Sequence, residues 1–187
     1  MPIQSLDFRG QPALALSLAT GERIVVALHG AHVLSWTTAD GVERLYLSPD
    51  AVFDGHAAIR GGVPVCWPQF NTRGPLAKHG FARTLPWTAA TDAEDGSLAL
   101  VLEDSAETRA AWPHAFSLRL TVALAPQQLR VTLDVANCGE TAMTFTTALH
   151  SYLRVDEIAD ARLHGLQGAA RWDAVRDVRE TEADNAL

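Results

Sequence analysis

The chain has 187 residues, of which 48% are hydrophobic, so its composition favours one folded domain with a sizeable core over disorder. Its formal net charge of −7 argues against a nucleic-acid partner, because nucleic-acid binders present clustered Lys and Arg. Residues 1–9 lack a signal-peptide pattern, and we find no apolar segment of membrane length. Two cysteines, Cys66 and Cys138, are too few for a disulfide-stapled secreted protein, so we expect a cytoplasmic protein with no membrane partner.

Short strands are predicted along the first hundred residues, where apolar and polar residues alternate between turn-forming segments. They cover residues 14–18, 23–28, 33–36, 44–47 and 98–102. Only residues 104–112 are predicted to form a helix, with Asp104 or Ser105 as its N-cap and Pro113 after its end.

A longer hairpin follows this helix. In residues 117–124 every second side chain is apolar, and residues 129–136 repeat the alternation after a short polar connection at residues 125–128. Such alternation is typical of strands with one buried face. Many short strands with a single brief helix predict an all-β protein, an antiparallel β-sandwich or a related architecture.

The segment at residues 59–70 (IRGGVPVCWPQF) and the segment at residues 78–83 (KHGFAR) concentrate unusual chemistry. With Arg73 between them, they contain three arginines, one lysine and one histidine among glycines, prolines and aromatic residues. A guanidinium binds two oxygens at once, and neighbouring glycines let the backbone approach a ligand closely. The pattern predicts a pocket for a small anionic ligand, while an ion pair of Arg60 with a carboxylate such as Asp54 is the structural alternative.

A second segment, residues 148–152 (ALHSY), contributes a histidine. If residues 143–155 form a strand, one face carries five apolar side chains and His150 lies on the opposite face. An imidazole exchanges protons near neutral pH, so His150 is a candidate for proton transfer. The alternative is a surface histidine without a chemical role.

The segments at residues 59–83 and 148–152 resemble the hexose-6-phosphate mutarotases, the glucose-6-phosphate 1-epimerase-like branch of the aldose 1-epimerase family. The resemblance extends to residues 30–36 (GAHVLSW), residues 45–53 (LYLSPDAVF) and residues 165–166. The resemblance implies an antiparallel β-sandwich of galactose-mutarotase type, with residues 1–187 as one domain. It also implies an isomerase that interconverts the α and β anomers of a hexose 6-phosphate without a metal or a cofactor.

The resemblance assigns roles to individual residues. The histidine of the family's ALH motif is the general acid, which corresponds to His150. The arginine of the RGG motif and the arginine that ends the HGxAR motif bind substrate, which correspond to Arg60 and Arg83. Lys78 stands where family members often have glutamine and could contact a phosphate as a point charge. His79 is expected to contact a sugar hydroxyl, or else to be a packed loop histidine.

The family's general base is a glutamate far toward the C-terminus, and no residue of this chain matches it. Residues 173–187 are polar and are predicted to contain no strand that completes a sheet. We therefore expect an incomplete sandwich that lacks the family's C-terminal part and has little or no mutarotase activity alone. An incomplete sandwich should leave a strand edge open, which favours self-association or a partner.

Other functions remain open at this stage. A non-catalytic β-sandwich that binds a sugar or a sugar phosphate is the main alternative, and an interaction domain with an empty pocket is the third. A metal site at His29 and His32 is disfavoured, because residues three apart on a strand face opposite sides.

Overall fold

The computed structural model describes residues 2–183. The elements in chain order are β1 (Gln4–Phe8), β2 (Gln11–Ser17), β3 (Arg23–Ala27), β4 (His32–Thr37), β5 (Val65–Cys66), a 3₁₀ turn (Ala82–Thr84), β6 (Thr88–Ala89), β7 (Ser97–Glu103), α1 (Ala106–Ala111), β8 (Phe116–Ala125), β9 (Gln128–Asn137), β10 (Ala148–Leu149), β11 (Ala170–Asp173) and β12 (Val178–Thr181). The chain divides after Arg154 into two compact units.

The first unit contains two four-stranded antiparallel sheets. One has the order β1-β2-β3-β4, and the predicted strands at residues 14–18, 23–28 and 33–36 lie largely within it. The other has the order β6-β7-β8-β9 and includes the predicted strand at residues 98–102 and the predicted hairpin. In β8 every second side chain is buried, as the alternation indicates.

The two sheets pack against each other through one hydrophobic core. Side chains of β2, β3 and β4 share a cluster of buried residues with side chains of β7 and β8. Trp67 lies in this cluster, fully buried, and its ring contacts those of Phe81, Trp112, Phe116 and Phe145. The prediction of an all-β antiparallel sandwich is confirmed.

The predicted helix is also confirmed, although it is shorter than residues 104–112. Ser105 is its N-cap: the Ser105 hydroxyl accepts the backbone N–H of Thr108, and the Thr108 hydroxyl accepts the backbone N–H of Ser105. This reciprocal pair satisfies two backbone donors that the first helical turn leaves unpaired.

Two local predictions were wrong. Residues 44–47 form no strand but make isolated bridges, Leu45 to Leu153 and Leu47 to Gly61. The predicted strand at residues 143–155 is reduced to β10. Outside β10, this segment forms a single isolated bridge, between Leu153 and Leu45. Residues 173–187 were predicted to contain no strand that completes a sheet; β12 lies within them but pairs with β11 in a separate two-stranded sheet, and residues 184–187 lie outside the described part.

The second unit, as far as residue 183, is built on the β11–β12 hairpin. Arg171 pairs with Glu180 across the two strands, as their opposed charges and register allow. That residues 1–187 form one domain stays a prediction. Among residues 2–183, no helix has the length and apolar character needed to cross a membrane.

Candidate active site

A pocket of about 530 Å³ lies in the first unit. Its wall includes all five residues that the sequence proposed for the site, Arg60, Lys78, His79, Arg83 and His150. These residues come from three separate parts of the chain. Their convergence is what the sequence-based hypothesis requires, while their individual roles stay predictions.

Arg60 begins a tightly held glycine loop. Gly61 and Gly62 both have positive φ, 101° and 60°, which glycine adopts without the steric penalty of a side chain. The Arg60 side chain is exposed and makes no hydrogen bond or ion pair with residues 2–183. No ion pair joins Arg60 to Asp54 among these residues. The Asp54 carboxylate instead accepts the backbone N–H groups of His56 and Ala57.

Arg83 and Lys78 form a second cationic part of the wall. Arg83 lies in the 3₁₀ turn, and its Nη2 donates to the backbone carbonyl of Lys78 at 2.8 Å. The Arg83 Nε is buried without a hydrogen-bond partner among the described residues. The Lys78 ammonium is exposed and forms no ion pair with them. Both side chains therefore keep their charge available to a ligand.

The charge of the pocket wall contrasts with that of the chain. Two arginines and a lysine line it, and no described aspartate or glutamate does, although the whole chain has a net charge of −7. Cations without an opposing carboxylate create a local positive potential that attracts anions. The arrangement suits a small anionic ligand such as a phosphate.

His79 is held as a neutral hydrogen-bond donor. Its Nδ1 accepts the backbone N–H of Asn71 at 3.2 Å, so the ring proton lies on Nε2. Partial burial, together with the charges of the nearby Arg83, His150 and Lys78, lowers the pKa of His79 to about 4. In this form Nε2–H can donate to a ligand oxygen, and the ring has no free lone pair for a proton.

His150 follows β10 and is tied to the glycine loop through the backbone. β10 pairs with β5, and the His150 N–H donates to the Pro64 carbonyl at 3.1 Å. The His150 ring stacks on Tyr152 with centroids 4.8 Å apart and lies 5.9 Å from the His79 ring. This pairing of distant segments brings the histidine next to the cationic wall.

Some residues of the pocket were not proposed from the sequence. Tyr46, Ser48 and Cys66 line it, and Tyr46 donates its backbone N–H to the Tyr152 carbonyl at 2.8 Å. Tyr46 and Ser48 lie in the LYLSPDAVF segment, which contributed to the resemblance, but no local pattern indicates which of its side chains face a pocket. Burial raises the pKa of the Cys66 thiol, which favours its neutral form.

Several other aromatic, charged and imidazole side chains lie outside the pocket wall. Trp67 and Trp87 are buried in the core, and Arg73 does not line the pocket. Glu180 and Glu182 pair with Arg171 within the second unit. His29 and His32 each direct Nε2 at a backbone carbonyl, those of Ala57 and Gly61.

Comparison with known proteins identifies the family. The family model described as Aldose 1-epimerase matches residues 12–185. A protein of Escherichia coli K12 named "Putative glucose-6-phosphate 1-epimerase" is 43% identical over 164 residues, which are 82% of this chain and 52% of that protein. The chain belongs to the aldose 1-epimerase family, and it spans about half the length of the curated relatives that it matches.

Solved structures agree with this assignment. The crystal structure of a protein from Salmonella typhimurium, described as a putative mutarotase, is 31% identical with a TM-score of 0.82, covering 99% of this chain and 62% of that one. A galactose mutarotase-like protein of Clostridium acetobutylicum, 18% identical, has a TM-score of 0.73 and covers 95% of this chain and 62% of that one. The predicted galactose-mutarotase type of sandwich is confirmed.

Proposed function

We propose that the pocket binds a hexose 6-phosphate and that its chemistry is the interconversion of the α and β anomers. One observation carries the proposal: three cations and two imidazoles line one pocket whose described residues include no carboxylate. The name of the E. coli relative specifies glucose 6-phosphate, which supports the same substrate class here.

Anomer interconversion needs two proton transfers. A base takes the proton of the anomeric hydroxyl while an acid protonates the ring oxygen, so the bond between C1 and the ring oxygen breaks and an aldehyde forms. Rotation about the bond between C1 and C2 and the reverse transfers close the ring on the other face. Throughout, the sugar must stay bound in one orientation.

Each described residue of the wall has a place in this scheme. Arg60, Arg83 and Lys78 bind the phosphate and neighbouring oxygens, and the His79 Nε2–H donates to a sugar hydroxyl. His150 in its protonated form gives a proton to the ring oxygen. The described residues of the wall include no carboxylate to act as the base, the Arg and Lys side chains are cationic, and His79 has no free lone pair. We therefore expect binding with little or no turnover by this chain alone.

Calorimetric titration with glucose 6-phosphate tests the binding. Arg60→Ala is expected to weaken the affinity about ten- to hundredfold, since a hydrogen bond to a charged group contributes about 1.5–3 kcal/mol. Glucose without phosphate should bind more weakly than glucose 6-phosphate to the unmodified chain. Arg119→Ala is the matched control, because it removes the same charge at a side chain that pairs with Asp92 and does not line the pocket.

Equal affinities for glucose and glucose 6-phosphate, or an Arg60→Ala variant that binds like the control, would contradict the proposed site. Exchange NMR on the two anomers of glucose 6-phosphate separates the remaining alternatives. Exchange no faster than in buffer, with intact binding, is the expected result for this chain alone, because the described wall offers an acid and no carboxylate base. Exchange that His150→Ala abolishes would show that the chain supplies its own base.

We also propose a cytoplasmic location. Both cysteines are free thiols, with Cys66 buried and Cys138 exposed. An exposed thiol persists best in a reducing compartment, which supports this location.

We further propose that the chain self-associates through the outer edge of β9. β9 is the last strand of its sheet, and no strand within residues 2–183 pairs with its other edge. Its inward side chains Leu129, Val131, Leu133 and Val135 are only half buried, whereas the inward side chains of β8 are almost fully buried. A long edge strand with an incompletely covered apolar face is suited to pairing with another strand.

The charges of β9 favour a twofold arrangement of two copies. In an antiparallel pair centred on Thr132, Arg130 of each copy lies opposite Asp134 of the other, and Val131 lies opposite Leu133. In each of these pairs the two residue numbers differ by an even number. The backbone N–H and C=O groups of both residues therefore point to the same edge of β9. Opposite charges directly across a strand pair are favourable.

Light scattering after gel filtration tests this arrangement. The unmodified chain should form a concentration-dependent dimer, Arg130→Glu should shift it to monomer by facing Asp134 with a like charge, and the exchange Arg130→Glu with Asp134→Arg should restore it. Arg109→Glu, on α1 and away from β9, is the control and should leave the dimer unchanged. A monomer at all concentrations, or a dimer that Arg130→Glu does not weaken, would overturn the proposal.

A further inference from the structure

His32, the first residue of β4, is a polar side chain in an apolar environment. It is fully buried, as are the neighbouring Ala31, Val33 and Leu34. An apolar residue would suit this position, since burying a polar group is unfavourable unless it forms a hydrogen bond. His32 therefore has a contact that an apolar side chain could not make.

That contact is with the glycine loop. The His32 Nε2 lies 2.7 Å from the carbonyl oxygen of Gly61, the residue that follows Arg60. A carbonyl only accepts, so Nε2 carries the ring proton, while Nδ1 is buried without a partner among the described residues. Burial lowers the pKa of His32 to about 4, which keeps the ring in this neutral form.

Three other carbonyls of the loop have backbone donors. The carbonyl of Arg60 accepts from Ser48, that of Gly62 from Tyr152, and that of Pro64 from His150, all at 2.8–3.1 Å. The Gly61 carbonyl instead accepts from the imidazole of His32. The loop is thus held by backbone N–H groups and also by the side chain of His32.

The position of the Arg60 guanidinium depends on this loop. Within residues 2–183 the guanidinium has no hydrogen bond or ion pair to orient it. Before a ligand binds, the backbone at residues 60 and 61 therefore fixes only where the Arg60 side chain begins and the direction of its first bond. The Gly61 carbonyl belongs to the peptide between Gly61 and Gly62, so holding this oxygen fixes the plane of that peptide, directly after the residue that carries the guanidinium.

We infer that His32 is a positioning residue, which fixes the peptide between Gly61 and Gly62 and thereby the backbone from which the Arg60 side chain enters the pocket. The inference rests on the proposed function, in which Arg60 binds the phosphate of the ligand. It extends that function to a side chain that does not line the pocket.

A double-mutant cycle with two ligands tests this role. His32→Leu should weaken the binding of glucose 6-phosphate about tenfold in calorimetric titration, because the backbone that carries Arg60 loses a fixed contact and must be ordered when the ligand binds. His32→Gln, which keeps an N–H donor of similar reach, should recover most of the affinity. In the Arg60→Ala background, His32→Leu should cause no further loss, and glucose affinity should change little in any of these variants.

His29→Leu is the matched control. His29 is also a buried histidine on a backbone carbonyl, but its Nε2 contacts Ala57 at 3.0 Å and not the loop residue after Arg60. It should leave the affinity for glucose 6-phosphate close to that of the unmodified chain. A merely structural role for His32 would instead weaken glucose and glucose 6-phosphate alike, and would persist in the Arg60→Ala background.

The outcomes separate the two proposals. If the unmodified chain does not bind glucose 6-phosphate, the proposed function and this inference both fail. If it binds and Arg60→Ala weakens binding while His32→Leu does not, only the inference fails. If circular dichroism shows that His32→Leu is unfolded, His32→Asn replaces it in the cycle, since its shorter side chain stays polar, and the same loss is expected.

Discussion

Replacing Gly62 with alanine is expected to lower the free energy of unfolding by about 3 kcal/mol or more, because strain and a steric clash add. Gly62 has a φ of +60°, which a residue with a side chain adopts at a cost. An added Cβ would also lie 2.1 Å from the Val33 carbonyl oxygen and 2.8 Å from the His32 Nε2. The loop cannot keep its position against β4 with such contacts.

Gly41→Ala separates the two causes. Gly41 has a similar φ of +80°, yet an added Cβ would meet no atom within 4 Å. Its loss should be only the conformational cost of about 1–2 kcal/mol. Urea denaturation of both variants measures the difference. Equal losses would mean that the loop moves away from β4 without resistance, which would also weaken the case for His32 as a positioning residue.

Replacing Trp67 with alanine is expected to lower the free energy of unfolding by about 3–5 kcal/mol, the range for deleting a large aromatic side chain from a core. The Trp67 ring is 0% exposed and lies 4.5 Å from the Phe116 ring and 5.0 Å from the Trp112 ring, measured between centroids. Its removal would leave a cavity between the sheets that the surrounding rings can fill only in part. Thermal or urea unfolding measures the loss.

Trp67→Phe is the matched control, since it keeps an aromatic ring and removes an indole N–H that has no hydrogen-bond partner among the described residues. Its loss should be clearly smaller. The site should survive in this variant, because Trp67 reaches the KHGFAR segment through its backbone carbonyl, which accepts from Phe81 and Ala82. A Trp67→Phe variant as unstable as Trp67→Ala would show that the indole shape, not aromatic volume, determines the packing.

Regular strands were predictable because their signal is local. The alternation in residues 117–124 and 129–136 directly reports which side chains of β8 and β9 face the core. The Ser105 cap of α1 was predictable for the same reason, because a cap and its partner lie three residues apart. Prediction succeeded where the interacting residues are neighbours in the chain.

Prediction failed where a segment is held by residues far away. Residues 44–47 resemble a strand in composition, but their partners are single residues, Gly61 and Leu153, so no continuous ladder forms. His32 was considered only as a metal ligand, because its acceptor, the Gly61 carbonyl, lies on a loop whose path the sequence does not describe. Composition carries no information about such contacts.

The sequence by itself determined the alternating strands and the supply of cations and imidazoles in two short segments, since periodicity and residue type are local properties. Only the tertiary structure decided that Arg60, Arg83 and His150 share one pocket, through the pairing of β5 with β10. It also decided that no described carboxylate opposes their charge there. Both facts depend on packing between distant segments, which is set by the burial of the whole core and not by any one of its parts.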